Sequence, residues 1–113
     1  MNYDIKTTAS FDKEAKRLSK HYVSFKNDYE ILLDELSSNP QLGTDLGNGL
    51  RKIRMKIASK GKGKSGGARV ISFTVIASAQ DAVLNLLLIY DKSERSSISK
   101  KELEDLLRKN GFI

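Results

Sequence analysis

The apolar positions along the chain fall into runs of recognisable period. Tyr3 and Ile5 share one parity within residues 2–7 and predict a short first strand. Phe11, Ala15, Leu18 and Tyr22 recur at helical spacing behind Ser10, which predicts a helix capped by that serine. After a break at residues 21–24, Ser24 is placed to cap a second helix with the stripe Phe25, Tyr29, Leu32 and Leu36. Lys13, Lys16, Arg17 and Lys20 make the first helix basic, whereas Asp28, Glu30, Asp34 and Glu35 make the second acidic. Neighbouring helices of opposite charge predict an antiparallel hairpin laid on a sheet. Pro40 ends it, because proline disfavours helical backbone at the residue before it.

Residues 40–49 read as a turn-rich connector holding Gly43, Gly47 and Gly49. Strand character begins at Leu50: Ile53, Met55 and Ile57 point one way, Lys52, Arg54 and Lys56 the other. Residues 58–67 predict a flexible basic loop, followed by a strand from about Ala68 to Ile76. Val70 and Ile71 are both apolar, so alternation leaves the face of Arg69 open. Beyond a turn at 78–81, the stretch Leu86-Leu87-Leu88-Ile89 is apolar on both parities and predicts a central strand. Ser99, with Glu102 three residues on, opens a last helix striped by Leu103, Leu106 and Leu107, and Asn110-Gly111 stops it. The predicted order is β-α-α-β-β-β-α. This is an α+β fold in a single domain spanning residues 1–113, with the N-terminal strand and helix hairpin packed on an antiparallel sheet. Helices on one sheet face would leave the other free, floored by the cationic strand and rimmed by the loop.

Charge sharpens that picture. Eight of the 20 basic residues lie between Arg51 and Arg69, and no acidic residue occurs between Asp45 and Asp81. The rest of the chain carries 12 basic against 14 acidic side chains, so one segment accounts for the whole net charge of +6. A cluster of this kind, running from a loop onto a strand face, suits a polyanion and points to nucleic acid. With 39% apolar and 30% charged residues, the composition is that of a globular domain, and no apolar run is long enough to span a bilayer. The first residues lack a signal-peptide layout, and the absence of cysteine fits a reducing cytoplasm.

Three other chemistries fare poorly. Ala58 followed by Gly63-Lys64-Ser65 satisfies a relaxed phosphate-loop pattern, but that motif needs a helix after it, and Gly66-Gly67 leads into β-branched and aromatic residues. His21 is the only histidine, which excludes a histidine-pair ribonuclease and a standard zinc site. The acidic residues sit at helical spacing on exposed faces, so no metal or other cofactor is expected.

Several stretches carry a resemblance. Asn39-Pro40 through Gly43, Gly49-Leu50-Arg51-Lys52-Ile53-Arg54, residues 60–71 (KGKGKSGGARVI) and residues 87–94 (LLIYDKSE) resemble the RelE/HigB-type toxins of bacterial type II toxin–antitoxin systems. The resemblance implies a metal-independent, ribosome-dependent mRNA endonuclease, an mRNA interferase that inhibits translation. It would be held inactive by a cognate antitoxin encoded beside it, expected to be a helix-turn-helix, HigA-like protein. Cleavage would proceed by attack of a ribose 2′-hydroxyl on the adjacent phosphorus. The family's catalytic cations fall on Lys52, Arg54, Arg69 and Lys92. Arg69 and Arg54 would stabilise charge in the transition state, and Lys52 would take the 2′-hydroxyl proton, a role that needs the neutral amine. Arg51, Lys56, Lys60, Lys62 and Lys64 would hold RNA backbone or ribosomal RNA.

The chain departs from the pattern at Ser93, where several relatives carry arginine, and at Ser99, which stands in place of a late tyrosine. Tyr90 is left to stack on a base, to supply a proton, or to sit in the core. Two other readings use the same scaffold: a ParE-like toxin that inhibits DNA gyrase, and a noncatalytic RNA-binding module.

Overall fold

A computed structural model describes residues 1–113. The elements run β1 (Asn2–Thr7), α1 (Ala9–His21), α2 (Phe25–Ser38), β2 (Thr44–Gly47), β3 (Leu50–Met55), a 3₁₀ turn (Ala58–Lys60), β4 (Ala68–Ile76), β5 (Asp81–Asp91) and α3 (Lys100–Lys109). They build one five-stranded sheet in the order β1-β5-β4-β3-β2, with β1 parallel to β5 and every other pair antiparallel. The α+β order read from the sequence therefore stands with one strand added. β2 occupies part of the predicted connector and pairs with β3 across Asn48-Gly49, both of which take positive φ (54° and 84°). Asn-Gly supplies that conformation at little steric cost, which favours a hairpin. No helix is long and apolar enough to cross a membrane.

Two cores lie on opposite sheet faces. Phe11, Leu18, Phe25, Leu32 and Leu36 pack α1 and α2 onto Ile53, Met55, Val70, Leu84, Leu86 and Ile89. Leu103 and Leu107 of α3 pack on the other face against Leu50, Ile71 and Leu87, with Phe73 and Phe112 beside them. The second sheet face is thus partly roofed by α3 rather than free. A bulge makes this possible: Ile71 pairs with Leu88 and Ser72 with Leu86, which inserts Leu87 as an extra residue in β5. Leu87 and Leu88 both serve the α3 side, and this is why the run is apolar on both parities.

Two caps differ from the sequence reading. Thr8, not Ser10, caps α1: its hydroxyl accepts from Phe11 N at 3.1 Å and donates to the Leu87 carbonyl at 2.8 Å, docking the helix start onto β5. Ser24 occupies the cap position of α2 but makes no side-chain cap; its hydroxyl donates to the Asp28 carboxylate at 2.7 Å. Asp28 is buried, not part of an exposed acidic face, because the same carboxylate also accepts from Ala58 N at 3.0 Å. α3 begins with the capping box predicted from Ser99 and Glu102.

Candidate active site

The antiparallel register aligns three side chains in one row. Arg54 on β3 lies opposite Arg69 on β4, and Arg69 lies opposite Tyr90 on β5. Lys52, two residues from Arg54, opposes Ile71 on the same side. The face of Arg69, open in the sequence, is therefore that of Lys52 and Arg54. α3 covers this face at Leu50, Ile71 and Leu87, while Arg54 remains exposed.

Arg69 is the unusual member. It is only 6% exposed, yet no carboxylate pairs with it. Its Nη1 donates to the carbonyls of Lys64 and Ala68, both at 3.1 Å, and its Nη2 donates to Ser65 O at 3.0 Å. Of its five N–H groups, Nε and one on Nη2 have no protein acceptor. Burial, and after it the Arg54 charge, lower the Arg69 pKa. The other four arginines with ion pairs are Arg17, Arg51, Arg95 and Arg108, which leaves Arg54 and Arg69, facing each other, as the two without one. Burying an unpaired charge beside a like charge costs free energy that a bound anion would offset.

Tyr90 completes the row. It is 5% exposed, and its hydroxyl is buried with no hydrogen-bond partner. The Arg95 guanidinium lies 5.4 Å from its ring centroid and is itself held by Glu102 and by Ser97 O at 3.0 Å. With Arg95 against one face of the ring and the residue buried as a whole, a base has no open face of Tyr90 to stack on, and the hydroxyl is its one polar group left without a protein partner. Burial pushes the phenol up, outweighing the opposing pull of Arg69 and Arg95, so Tyr90 is a protonated donor at neutral pH. Arg95 is a residue the sequence reading missed. It sits in a polar connector with no periodicity, and only its place before the Ser99 cap relates it to Glu102.

The predicted RNA-holding residues do not form one surface. Lys60 is a correction: its ammonium is buried (7% exposed) in an ion pair with Asp91 (1%) at 2.6 Å. The Asp91 carboxylate also accepts from the Tyr22 hydroxyl, from Ser93 N at 2.9 Å and from Ser93 Oγ at 2.7 Å. Lys64 pairs with Glu35 at 2.9 Å, still partly exposed. Arg51 shares the parity of Ile53 and Met55 and so faces away from Lys52; it donates to Gly43 O at 3.1 Å and lies 3.9 Å from Asp45. Lys92 donates to Ser96 O at 2.7 Å, while its backbone N–H extends the sheet to Gly67 O at 3.0 Å. Lys56 and Lys62 are exposed and lack a carboxylate partner.

The loop is also not flexible in the sense the glycines suggested. Ala58 N and Ser59 N are tied to Asp28 and Ser24 on α2, Lys60 is tied to β5, and Gly67 to Lys92. No cluster of three or more His, Cys, Asp or Glu side chains is arranged to hold a metal.

Asp91 carries a pH prediction. Burial acts to raise its pKa, but the hydrogen bonds from Lys60, Tyr22 and Ser93 outweigh it and hold the carboxyl well below the usual range. A depressed folded-state pKa contributes stability that is present above the unfolded value of about 3.9 and lost as pH falls below it. Urea midpoints should therefore decline below about pH 4. Asp91→Asn should be less stable at pH 7 and should show a shallower acid decline.

A family model described as the RelE toxin of the RelE/RelB toxin–antitoxin system matches residues 6–111, from within β1 to just past α3. The match covers β2 to β5, all three helices and the whole cationic row. The chain belongs to the RelE toxin family, and is thus the toxin of a toxin–antitoxin system with an antitoxin as its partner.

Proposed function

We propose that this toxin is a ribosome-dependent, metal-independent mRNA endonuclease, and that the row on β3, β4 and β5 is its active site. One observation carries the reading: Arg54 and Arg69 face each other without carboxylates, beside a buried phenol that lacks a partner. Two unpaired guanidiniums suit the extra negative charge of a pentacoordinate phosphorane. The two free N–H groups of Arg69 match two phosphate oxygens.

In the reaction, a ribose 2′-oxygen forms a bond to the adjacent phosphorus as the bond from phosphorus to the 5′-oxygen breaks. Lys52 is the residue assigned to take the 2′-hydroxyl proton. Tyr90 donates its proton to the departing 5′-oxygen, and Arg54 and Arg69 hold the phosphoryl oxygens. The products are a 2′,3′-cyclic phosphate and a 5′-hydroxyl. Lys92, which directly follows β5 and lies two residues beyond Tyr90, is assigned to the same site. The ribosome presents the mRNA, so the protein acts in the cytoplasm, and the antitoxin is a helix-turn-helix, HigA-like protein encoded beside it.

Docking falls to Lys56 and Lys62, with Lys64 able to exchange Glu35 for phosphate. Lys56→Ala and Lys62→Ala should each reduce the slope of log affinity for ribosomes against log salt by about one. Lys60→Ala should leave that slope unchanged.

Primer extension after induction in cells tests the function. Cuts within translated mRNA, absent in untranslated transcripts, support the reading. Double-strand DNA breaks that depend on gyrase, with intact mRNA, would replace it with a ParE-like activity.

A further inference from the structure

The donors of Arg69 that are already occupied go to main-chain carbonyls, two of them in the loop, at Lys64 and Ser65. Where those carbonyls sit fixes where the guanidinium points. The loop in turn is anchored to β5 by the buried Lys60–Asp91 pair, on the face opposite the site. Asp91 pairs in register with Ala68, the residue before Arg69, and it directly follows Tyr90. Both partners of the pair are held further: each Asp91 carboxylate oxygen accepts at least one hydrogen bond, and Lys60 Nζ also donates to Ser93 Oγ at 3.2 Å and lies 5.5 Å from the Tyr22 ring centroid. A buried ion pair contributes little net stability over apolar side chains of similar size, but it imposes one geometry.

We propose that Lys60 is a positioning residue: its buried pair with Asp91 holds the loop so that the Lys64 and Ser65 carbonyls orient Arg69 toward phosphate. The inference rests on Arg69 being the phosphate-facing side chain. It assigns Lys60, one of the loop lysines that charge alone would give to docking, to the chemical step rather than to affinity.

Single-turnover cleavage on saturating programmed ribosomes tests it, alongside the ribosome dissociation constant and its salt dependence. Lys60→Met should slow cleavage at saturation by about 10- to 100-fold, since a displacement near 1 Å at a reacting group has effects of that order. Ribosome affinity and salt slope should stay within about twofold of the parent protein. Introduced into Arg69→Ala, Lys60→Met should slow cleavage less than about twofold, because the side chain it acts through is gone. Should Lys60→Met fail to fold for want of a partner to Asp91, Lys60→Met/Asp91→Asn removes both charges and serves for the same comparison.

Equal fold-losses with and without Arg69 would overturn the proposal, showing a generally structural role. A loss expressed in affinity or salt slope would do so too, returning Lys60 to docking. If Arg69→Ala alone leaves the rate unchanged, the reading of the site itself fails, a result distinct from either of these.

Discussion

Arg69→Ala is expected to slow mRNA cleavage on ribosomes by about 10²- to 10³-fold, the effect of removing a preorganised donor aimed at developing charge. Its stability should change little, because the substitution also removes a buried charge that no carboxylate balances and relieves repulsion from Arg54. Arg69→Lys keeps the charge but not the planar fork, so its rate should fall between the two. Thermal melts together with single-turnover rates separate these effects. A large rate loss with an unchanged melting temperature is the expected pattern.

Gly67→Ala should have the largest effect on stability. A Cβ on Gly67 would lie 2.1 Å from Met55 O, 3.0 Å from Ile57 N and 3.1 Å from Lys56 Cα, all backbone atoms of the neighbouring strand and its exit. None can swing aside, so β4 must move off β3. A destabilisation of about 3 kcal/mol or more is expected, at the upper end of overpacking costs. Activity should fall with it, because Arg69 lies two residues further along the displaced strand. Gly66→Ala should cost less: its Cβ would lie 2.5 Å from Lys62 Cβ, a clash that a shift of the exposed loop can relieve without parting two strands. Melting temperatures of the two variants test the contrast.

Much of this was legible in the sequence wherever one face of an element is dry and the other wet. The stripes of α1 and α2 and the alternation of Ile53 and Met55 against Lys52 and Arg54 gave their orientations directly. Legibility failed where both faces are covered. Arg69 could not be assigned because α3 buries Ile71 on one side of β4 while α1 and α2 bury Val70 on the other. The bulge at Leu87 hid the parity of Tyr90 in the same way. β2 escaped notice because a four-residue exposed edge strand has no apolar alternation, although Asn48-Gly49 was a usable hairpin signal.

The lysine loop shows a different limit. Lys60, Lys62 and Lys64 look alike in sequence, yet Lys60 is buried against a carboxylate 31 residues away and Lys62 is free. Local pattern reports no such partner. Asp28 was misread for the same reason, since its ligand Ala58 N lies 30 residues away. Arg95 joined the site through Tyr90 and Glu102, contacts that only the folded chain creates.

The most direct test of the account uses ribosomes programmed with an mRNA that carries a single 2′-deoxynucleotide 5′ to the scissile phosphate in the A site. The all-ribose message should be cut on the ribosome, leaving a 2′,3′-cyclic phosphate, and should stay intact when free in solution. The 2′-deoxy message should bind the same complex and remain uncut. Cleavage of the 2′-deoxy message at the parent rate would contradict the central claim, since no 2′-oxygen would then be attacking the phosphorus.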